Sequence, residues 1–283
     1  MKILLAGASG AIGRLLLPLL IRAGHEVTGT TRSAAKADLI AAQGGHPLLL
    51  DVLDREATFA ALERTRPDLV LHQLTDLAAR DFAGNSRLRI EGTRNLVDAA
   101  KAVGVQRMIV QSIAWIYAPG DAPATEDEPF DMPRNNSIPA VYTMEQAAAE
   151  MPISVVLRYG FLYGPGTWYS REGLTTESIL KGEVSATDAI ASFLHVADAA
   201  YAAIAAINWP SGAYNIVDDD PASGREWVPY YASLIGAPSP TVQPGRAAWE
   251  RGASNAKARQ IGWIPLFPNW RDGFKAELSS ETD

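Results

Sequence analysis

The chain has no cysteine, which removes disulfides, thiolate nucleophiles and cysteine-ligated metals together and leaves the redox compartment unmarked. Only four histidines occur, His25, His46, His72 and His195, and they are too scattered for an HExxH or any paired spacing. No metal centre is expected. No apolar run reaches the roughly 18 residues of a membrane helix. No positive flank, long apolar stretch and small-residue cleavage site precede Ile3, so a soluble cytoplasmic protein is expected. Lys and Arg come singly or in pairs within a net charge of −7, without the basic stripe that tracks a nucleic-acid backbone. No GxSxG stands before a helix with triad partners, so a hydrolase reading has little support. Internal repeats and low-complexity linkers are also missing.

What is present begins at once, with MKILLAGASGAIG over residues 1–13. Lys2 to Ala6 is a short buried strand. Gly7 permits a tight turn, Gly10 lets backbone approach a pyrophosphate, and Gly13 lets the next helix pack closely on the strand. The amides of that helix's N-terminus then face phosphates. With Ser9, Ala11 and Ile12 between the glycines, the stretch reads as a dinucleotide-binding turn.

Further strands are expected at 26–30, 46–50, 68–72, 107–111, 153–157 and 213–217. Helices are expected at 14–23, 33–43, 55–66, 90–103, 175–181 and 195–207, from apolar spacing and glycine stops. Strands alternating with helices imply parallel pairing and right-handed crossovers, hence an α/β, doubly wound Rossmann sheet. The 283 residues allow a large domain with a smaller one attached. The division expected is residues 1–158 with 186–217 for the nucleotide, and 159–185 with 218–283 for the substrate. The proline- and tryptophan-rich tail from Asp218 reads as a compact, loop-rich lobe with its own aromatic core, disorder being the rival reading.

An NAD-selective site usually ends its second strand in Asp or Glu, which repels a 2′-phosphate. Here that end is Thr30, Thr31, Arg32. Arg32 suits the 2′-phosphate of NADP, a charge-assisted contact of roughly 1.5–3 kcal/mol, so NADP(H) is expected over NAD(H). The alternative is an Arg in solvent at a helix start. Asp51, with Val52 beside it, is placed to receive the adenine amino group, or else is a helix N-cap.

At this point the chain resembles the extended short-chain dehydrogenase/reductase superfamily, the epimerase/dehydratase group. The matching pieces are GASGAIG (7–13), Asp51, HQLTD (72–76), EGTRNLVDAA (91–100), QSIAWIYA (111–118), LRYGFLYGPG (157–166), FLHVADAA (193–200) and QIGWIP (260–265). They keep the family's order over nearly the whole chain. The resemblance implies a cofactor contact at Leu74 and a homodimer through the helices around Ile90 and Pro139. It also implies a Ser or Thr after the fifth strand, a Tyr that moves a proton, and a Lys four residues beyond it. Ser112 matches the Ser of the reductase-like members, where it orients the substrate oxygen. The epimerase position is one residue later and is Ile113 here. Tyr142 matches the Tyr, but the residue four further on is Gln146, as in atypical members without the standard triad. Gln146 can still hydrogen-bond the nicotinamide ribose, but it carries no charge. An ammonium beside a tyrosine lowers its pKa from about 10 and makes it a base. Without one, Tyr142 is suited to act as an acid, which favours reduction. The bland alternative is an ordinary aromatic on a helix face.

His195 with Asp198 reads as a helix start. The pocket wall is expected from Trp115, Tyr117, Phe130, Met132, Phe161, Tyr163, Trp168 and Tyr169, at the carboxyl ends of the fifth and sixth strands. The same residues serve equally as a core joining two lobes. A nucleotide-sugar would call on Arg171, Lys181, Arg225, Arg246 or Arg251 for its diphosphate. The function expected is an NADPH-dependent reductase of a small, largely apolar carbonyl compound. A nucleotide-sugar epimerase or dehydratase and a non-catalytic NADP sensor are the alternatives.

Overall fold

The computed structural model describes residues 1–77, 80–134 and 137–279. In chain order the elements are β1 (Lys2–Ala6), α1 (Gly13–Arg22), β2 (Glu26–Thr31), α2 (Ala34–Ala42), β3 (His46–Leu49), α3 (Arg55–Thr65), β4 (Leu69–His72) and α4 (Phe82–Arg87). A π turn (Leu88–Gly92) leads into α5 (Thr93–Ala102), β5 (Arg107–Ile113), α6 (Ser137–Ala148), β6 (Ile153–Tyr159) and β7 (Phe161–Tyr163). Then come α7 (Leu174–Leu180), β8 (Ile190–Ala191), β9 (Phe193–His195), α8 (Val196–Ala205), a 3-10 turn (Ala206–Asn208) and β10 (Gly212–Ile216). The chain closes with β11 (Ala222–Ser223), α9 (Gly224–Ile235), α10 (Ala256–Gln260) and α11 (Trp270–Leu278).

Seven strands form one sheet in the order β10-β6-β5-β4-β1-β2-β3, the doubly wound arrangement expected from the alternation. β1 pairs in parallel with β2 on one side, Ile3 opposite Val27, and with β4 on the other, Ile3 opposite Leu69. Helices cover both faces of such a sheet, so its strands are apolar throughout. Ile3 to Ala6, Leu69 to Leu71 and Met108 to Val110 are all essentially inaccessible. Helix α1 carries Pro18 in its middle, which leaves the Arg14 carbonyl without its helical partner. Gln43 Nε2 donates to that carbonyl at 3.1 Å instead.

Residues cluster into two compact units: Met1–Ser112, Met132–Leu157 and Ala200–Ala213 in one, and Ile113–Asp131, Arg158–Ala199 and Tyr214–Asp283 in the other. Residues 113–131, 158, 186–199 and 214–217, expected with the nucleotide-binding part, cluster in the second of these units. A buried strut lies within it. Arg251 pairs with Glu128 through Nη1 and Nη2 at 2.6 and 2.7 Å and donates to the Ala122 and Ala118 carbonyls at 2.5 and 3.1 Å, which ties the segment after β5 to the tail.

The tail is also more regular than its prolines suggest. Helix α9 opens with a capping box between Ser223 and Glu226, accommodates Pro229, and turns Trp227, Val228, Tyr231 and Ala232 inward. These side chains join Tyr163, Phe193, Trp270 and Phe274 in an aromatic core whose rings meet largely edge to face. The single helix expected over 90–103 is likewise divided, with the π turn ahead of α5. No helix among the described residues is long and apolar enough to cross a membrane.

Candidate active site

The glycine turn is a cradle made by backbone contact. Gly7 has φ +92°, and a Cβ there would sit 2.7 Å from the Gln73 carbonyl oxygen. At Gly13 it would sit 2.1 Å from the Gly7 oxygen, so a side chain at Gly7 would push the turn off the segment after β4 and one at Gly13 would push α1 off the turn. The first residues of α1 have no side-chain cap, and Ile12 stands at its N-cap. Ser9, Gly10 and Ala11 complete the turn, Gly10 exposed and donating its N–H to Gly7 O at 3.0 Å. These residues fit a dinucleotide, whose pyrophosphate needs close backbone approach and free amides.

Behind the turn, Gly7 N donates to Thr30 Oγ1 at 3.3 Å and Ser9 Oγ to Thr31 Oγ1 at 3.0 Å, so hydroxyls surround the end of β2. Arg32 follows them, half exposed, with a two-pronged contact to Asp76 at 3.1 and 3.3 Å. Arg32, Leu49, Leu50, Asp51, Asp54 and Ala57 line a groove of about 340 Å³. Asp54 is the N-cap of α3, accepting from Ala57 N at 2.9 Å. Asp51 is therefore not the cap; its Oδ1 accepts from Leu53 N at 3.0 Å, while Val52 is buried.

At the carboxyl end of β4, His72 is fully buried, and burial pushes its pKa down to about 4. The neutral ring accepts from Leu74 N at its Nδ1 (3.3 Å) and donates from Nε2 to Thr93 Oγ1 (2.9 Å). Gln111 Nε2 donates to Leu74 O at 2.7 Å, so the predicted cofactor contact Leu74 is held on both sides. The buried ring is a backbone clamp.

Ser112 and Tyr142 are not brought together in equivalent surroundings. Tyr142 and Gln146, one turn apart, both lie on the exposed side of α6. Ser112 is buried and donates to Glu145 Oε1 at 2.6 Å, on the inner side of the same helix. Its hydrogen is taken by a carboxylate, which leaves its oxygen able only to accept. Arg89, on the π turn packed against α6, is buried, with 7% of its surface exposed. Burial draws its pKa down to about 10, and Glu145 opposes that through its field. Sequence reasoning named neither Glu145 nor Arg89. The available signal was two charged residues at inward helical positions, where charge is rare unless used.

In the second unit, Trp115, Tyr117, Phe161, Tyr169, Trp227 and Trp249 line a cavity of about 160 Å³ together with Ser185, Thr187, Ser192 and Arg251. Trp115 stacks on Phe161, with centroids 4.3 Å apart and planes within 4°. The Tyr117 hydroxyl donates to Asn215 Oδ1 at 2.5 Å and accepts from Arg158 Nη1 at 2.9 Å, so it is committed to the wall. Tyr163 and Trp168 do not line this cavity. Tyr163 is fully buried in the aromatic core, where burial raises its pKa, and only a glycine at position 273 leaves room for its hydroxyl. Trp168 is half-buried, its carbonyl accepting from Thr175 N at 2.9 Å. Phe130 lies under the Arg158 guanidinium, 5.0 Å from ring to cation, and Met132 is exposed. His195 accepts from Ala197 N at 3.1 Å and meets Glu277 at 3.0 Å, while Asp198 accepts from Leu266 N and Phe267 N. Among the described residues no group of three His, Cys, Asp or Glu side chains could hold a metal ion.

Comparison with known proteins places this geometry among relatives. Residues 3–217 match the sequence model of the NAD dependent epimerase/dehydratase family. A "3-diazoavenalumate denitrifying reductase" of Streptomyces sp is 40% identical over 98% of this chain and 100% of its own length. A "2-alkyl-3-oxoalkanoate reductase" of Stenotrophomonas maltophilia is 26% identical over 84% of the chain and 77% of its own. In fold, the UDP-glucose 4-epimerase of Thermus thermophilus, solved in complex with NAD, superposes with a TM-score of 0.80 over 98% of both chains at 24% identity.

Proposed function

The chain belongs to the NAD dependent epimerase/dehydratase family as an NAD(P)-dependent oxidoreductase, and from that premise we propose that it is an NADPH-dependent reductase of a small, largely apolar carbonyl compound. The observation that carries this is the aromatic cavity. At about 160 Å³ it is close to the roughly 150 Å³ void that holds benzene in an engineered core, so it suits one substituted ring.

The same cavity argues against a nucleotide-sugar. Arg251, which lines it, is saturated by Glu128 and two carbonyls. Arg171 donates to Leu278 O, Arg225 pairs with Asp188, Arg246 donates to Glu250 O and Lys181 pairs with Glu177. Of the cations considered for a diphosphate only Arg251 lines the cavity; Arg171, Lys181, Arg225 and Arg246 are not in its lining.

Preference for NADP rests on Arg32 with Ser9 and Thr31 at the end of β2, where no carboxylate of that strand opposes a 2′-phosphate. NADPH, when bound, supplies the hydride. Tyr142, exposed on α6, delivers the proton to the substrate oxygen, and Gln146 one turn on hydrogen-bonds the ribose. The full-length relative, by its name a reductase that denitrifies a 3-diazo compound, favours a second electrophile, a carbon bearing a diazo group, for which an arenediazonium ion is the simple probe. There the C–H bond forms as the C–N bond breaks, and dinitrogen leaves with that electron pair.

The test is net NADPH oxidation against a panel of aryl aldehydes, aryl ketones and an arenediazonium salt, with deuterium transfer from labelled cofactor read by mass spectrometry. Stoichiometric consumption with label in the product is expected. Product without net consumption of NADPH, or tight binding with no turnover across the panel, refutes the reading.

A further inference from the structure

We propose that Arg89 is the ligand-facing cation of this site, supplying beside the carboxyl end of β4 the positive charge that Gln146 does not carry. The proposal rests on the reductase reading and on placing Gln146 where the family pattern has Lys.

A guanidinium removed from water needs partners, because desolvating an ion costs several kcal/mol unless charge and hydrogen bonds compensate. Among the described residues no hydrogen bond or close ion pair to the Arg89 guanidinium is seen, and none of its nitrogens is among the fully buried atoms left without a partner, so its polar end keeps an opening; Glu145 acts on it through its field. Glu145 is itself occupied by Ser112 at 2.6 Å. Three neighbouring cations on α4 and α5 behave differently. Arg87 pairs with Glu91, Arg94 with Asp98 and Glu150, and Lys101 with Glu150. Among the described residues these more exposed cations are paired and the buried one is not, the reverse of what stability alone selects.

Its place is also informative. Arg89 sits on a π turn, a costly distortion that is frequent at functional sites. The turn packs on α6, which carries Tyr142 and Gln146, and Arg89 is close enough to His72 at the end of β4 to depress that ring's basicity. Ligands of doubly wound sheets bind beyond the carboxyl ends of the strands. When hydride adds to a carbonyl carbon, the C–H bond forms and the C=O π pair moves onto oxygen. A guanidinium here stabilises that oxyanion until Tyr142 gives it a proton.

The experiment uses benzoate, a ring bearing a fixed anion, titrated calorimetrically into the NADP⁺-loaded protein, alongside turnover with the best carbonyl of the panel. Arg89→Met should weaken benzoate at least tenfold and lower kcat by about 10²–10³-fold, the range for losing one oxyanion donor, with NADPH affinity within threefold of wild type. Arg89→Lys should keep most of both. Adding Gln146→Lys to Arg89→Met should regain at least tenfold in kcat, because a positive charge is restored on α6, against which the π turn packs. Equal benzoate affinity in wild type and Arg89→Met, no benzoate binding by wild type, or no recovery in the double variant overturns the proposal. Circular dichroism and NADPH binding check the fold, and Arg89→Gln replaces the Met variant if that fails to fold. A wild type that binds benzoate and NADPH but reduces nothing would instead sink the reductase reading and leave Arg89 as an anion site.

Discussion

Replacing Arg32 by Ala should separate the two nicotinamide cofactors. In the ligand-free protein Arg32 is held by Asp76 at 3.1 and 3.3 Å, with the two side chains 55% and 32% exposed. An exposed pair of this kind is worth roughly 0.2–1 kcal/mol. A charge-assisted contact to a 2′-phosphate is worth roughly 1.5–3 kcal/mol. The phosphate therefore wins the guanidinium by about 1–2 kcal/mol, and Asp76 holds the side chain ready without blocking the site. Arg32→Ala should remove that net gain, weakening NADPH about five- to thirtyfold, and change NADH less than about twofold. Asp76→Asn should act in the opposite direction, tightening NADPH by up to about fivefold, since no ion pair then has to break. Both effects should shrink at high salt, because the Debye length falls from about 10 Å at 0.1 M to about 3 Å at 1 M. Titration of intrinsic tryptophan fluorescence with each cofactor, at two ionic strengths, measures all of this. Equal losses for NADPH and NADH, or no loss, would refute the assignment of Arg32 to the phosphate.

Tyr142→Phe should lower turnover by about 10²–10⁴-fold while NADPH affinity stays within about twofold, and unchanged turnover removes Tyr142 as the acid. Asp218 is 2% exposed with Oδ2 unpartnered among the described residues, and burial pushes its pKa up to about 9. The folded state thus prefers the proton. Its contribution is fully present below the unfolded value near 4 and is lost as pH rises toward 9, by roughly 4 kcal/mol at most by pH 7. Asp218→Asn should therefore unfold at higher urea than wild type at pH 8 and show little advantage at pH 4; parallel urea midpoints from pH 4 to 9 would contradict this. Arg251→Met leaves two carbonyls without their donor while the partly exposed Glu128 returns to water, so it should cost roughly 1–3 kcal/mol. A midpoint of thermal unfolding within about 2 °C of wild type would show that the strut is dispensable.

The sequence by itself determined the alternation of strands and helices, the doubly wound class and the glycine cradle. Each is a local property. A buried parallel strand is an unbroken apolar run, and the needs of Gly7 and Gly13 arise from backbone a few residues away, apart from the Gln73 carbonyl that Gly7 meets. The regularity of the tail was hidden, because Pro229 masks a helix whose inward face is set by packing against Tyr163 and Phe274. Tertiary structure alone decided what the polar groups do. Arg32 meets Asp76 across 44 positions, Ser112 meets Glu145 across 33 and Arg251 meets Glu128 across 123. None of these pairings has a periodicity to read. They follow from which strand ends lie side by side and which helix face turns inward, and so Ser112 has its hydrogen committed and Arg89 stands buried without a close counter-ion among the described residues.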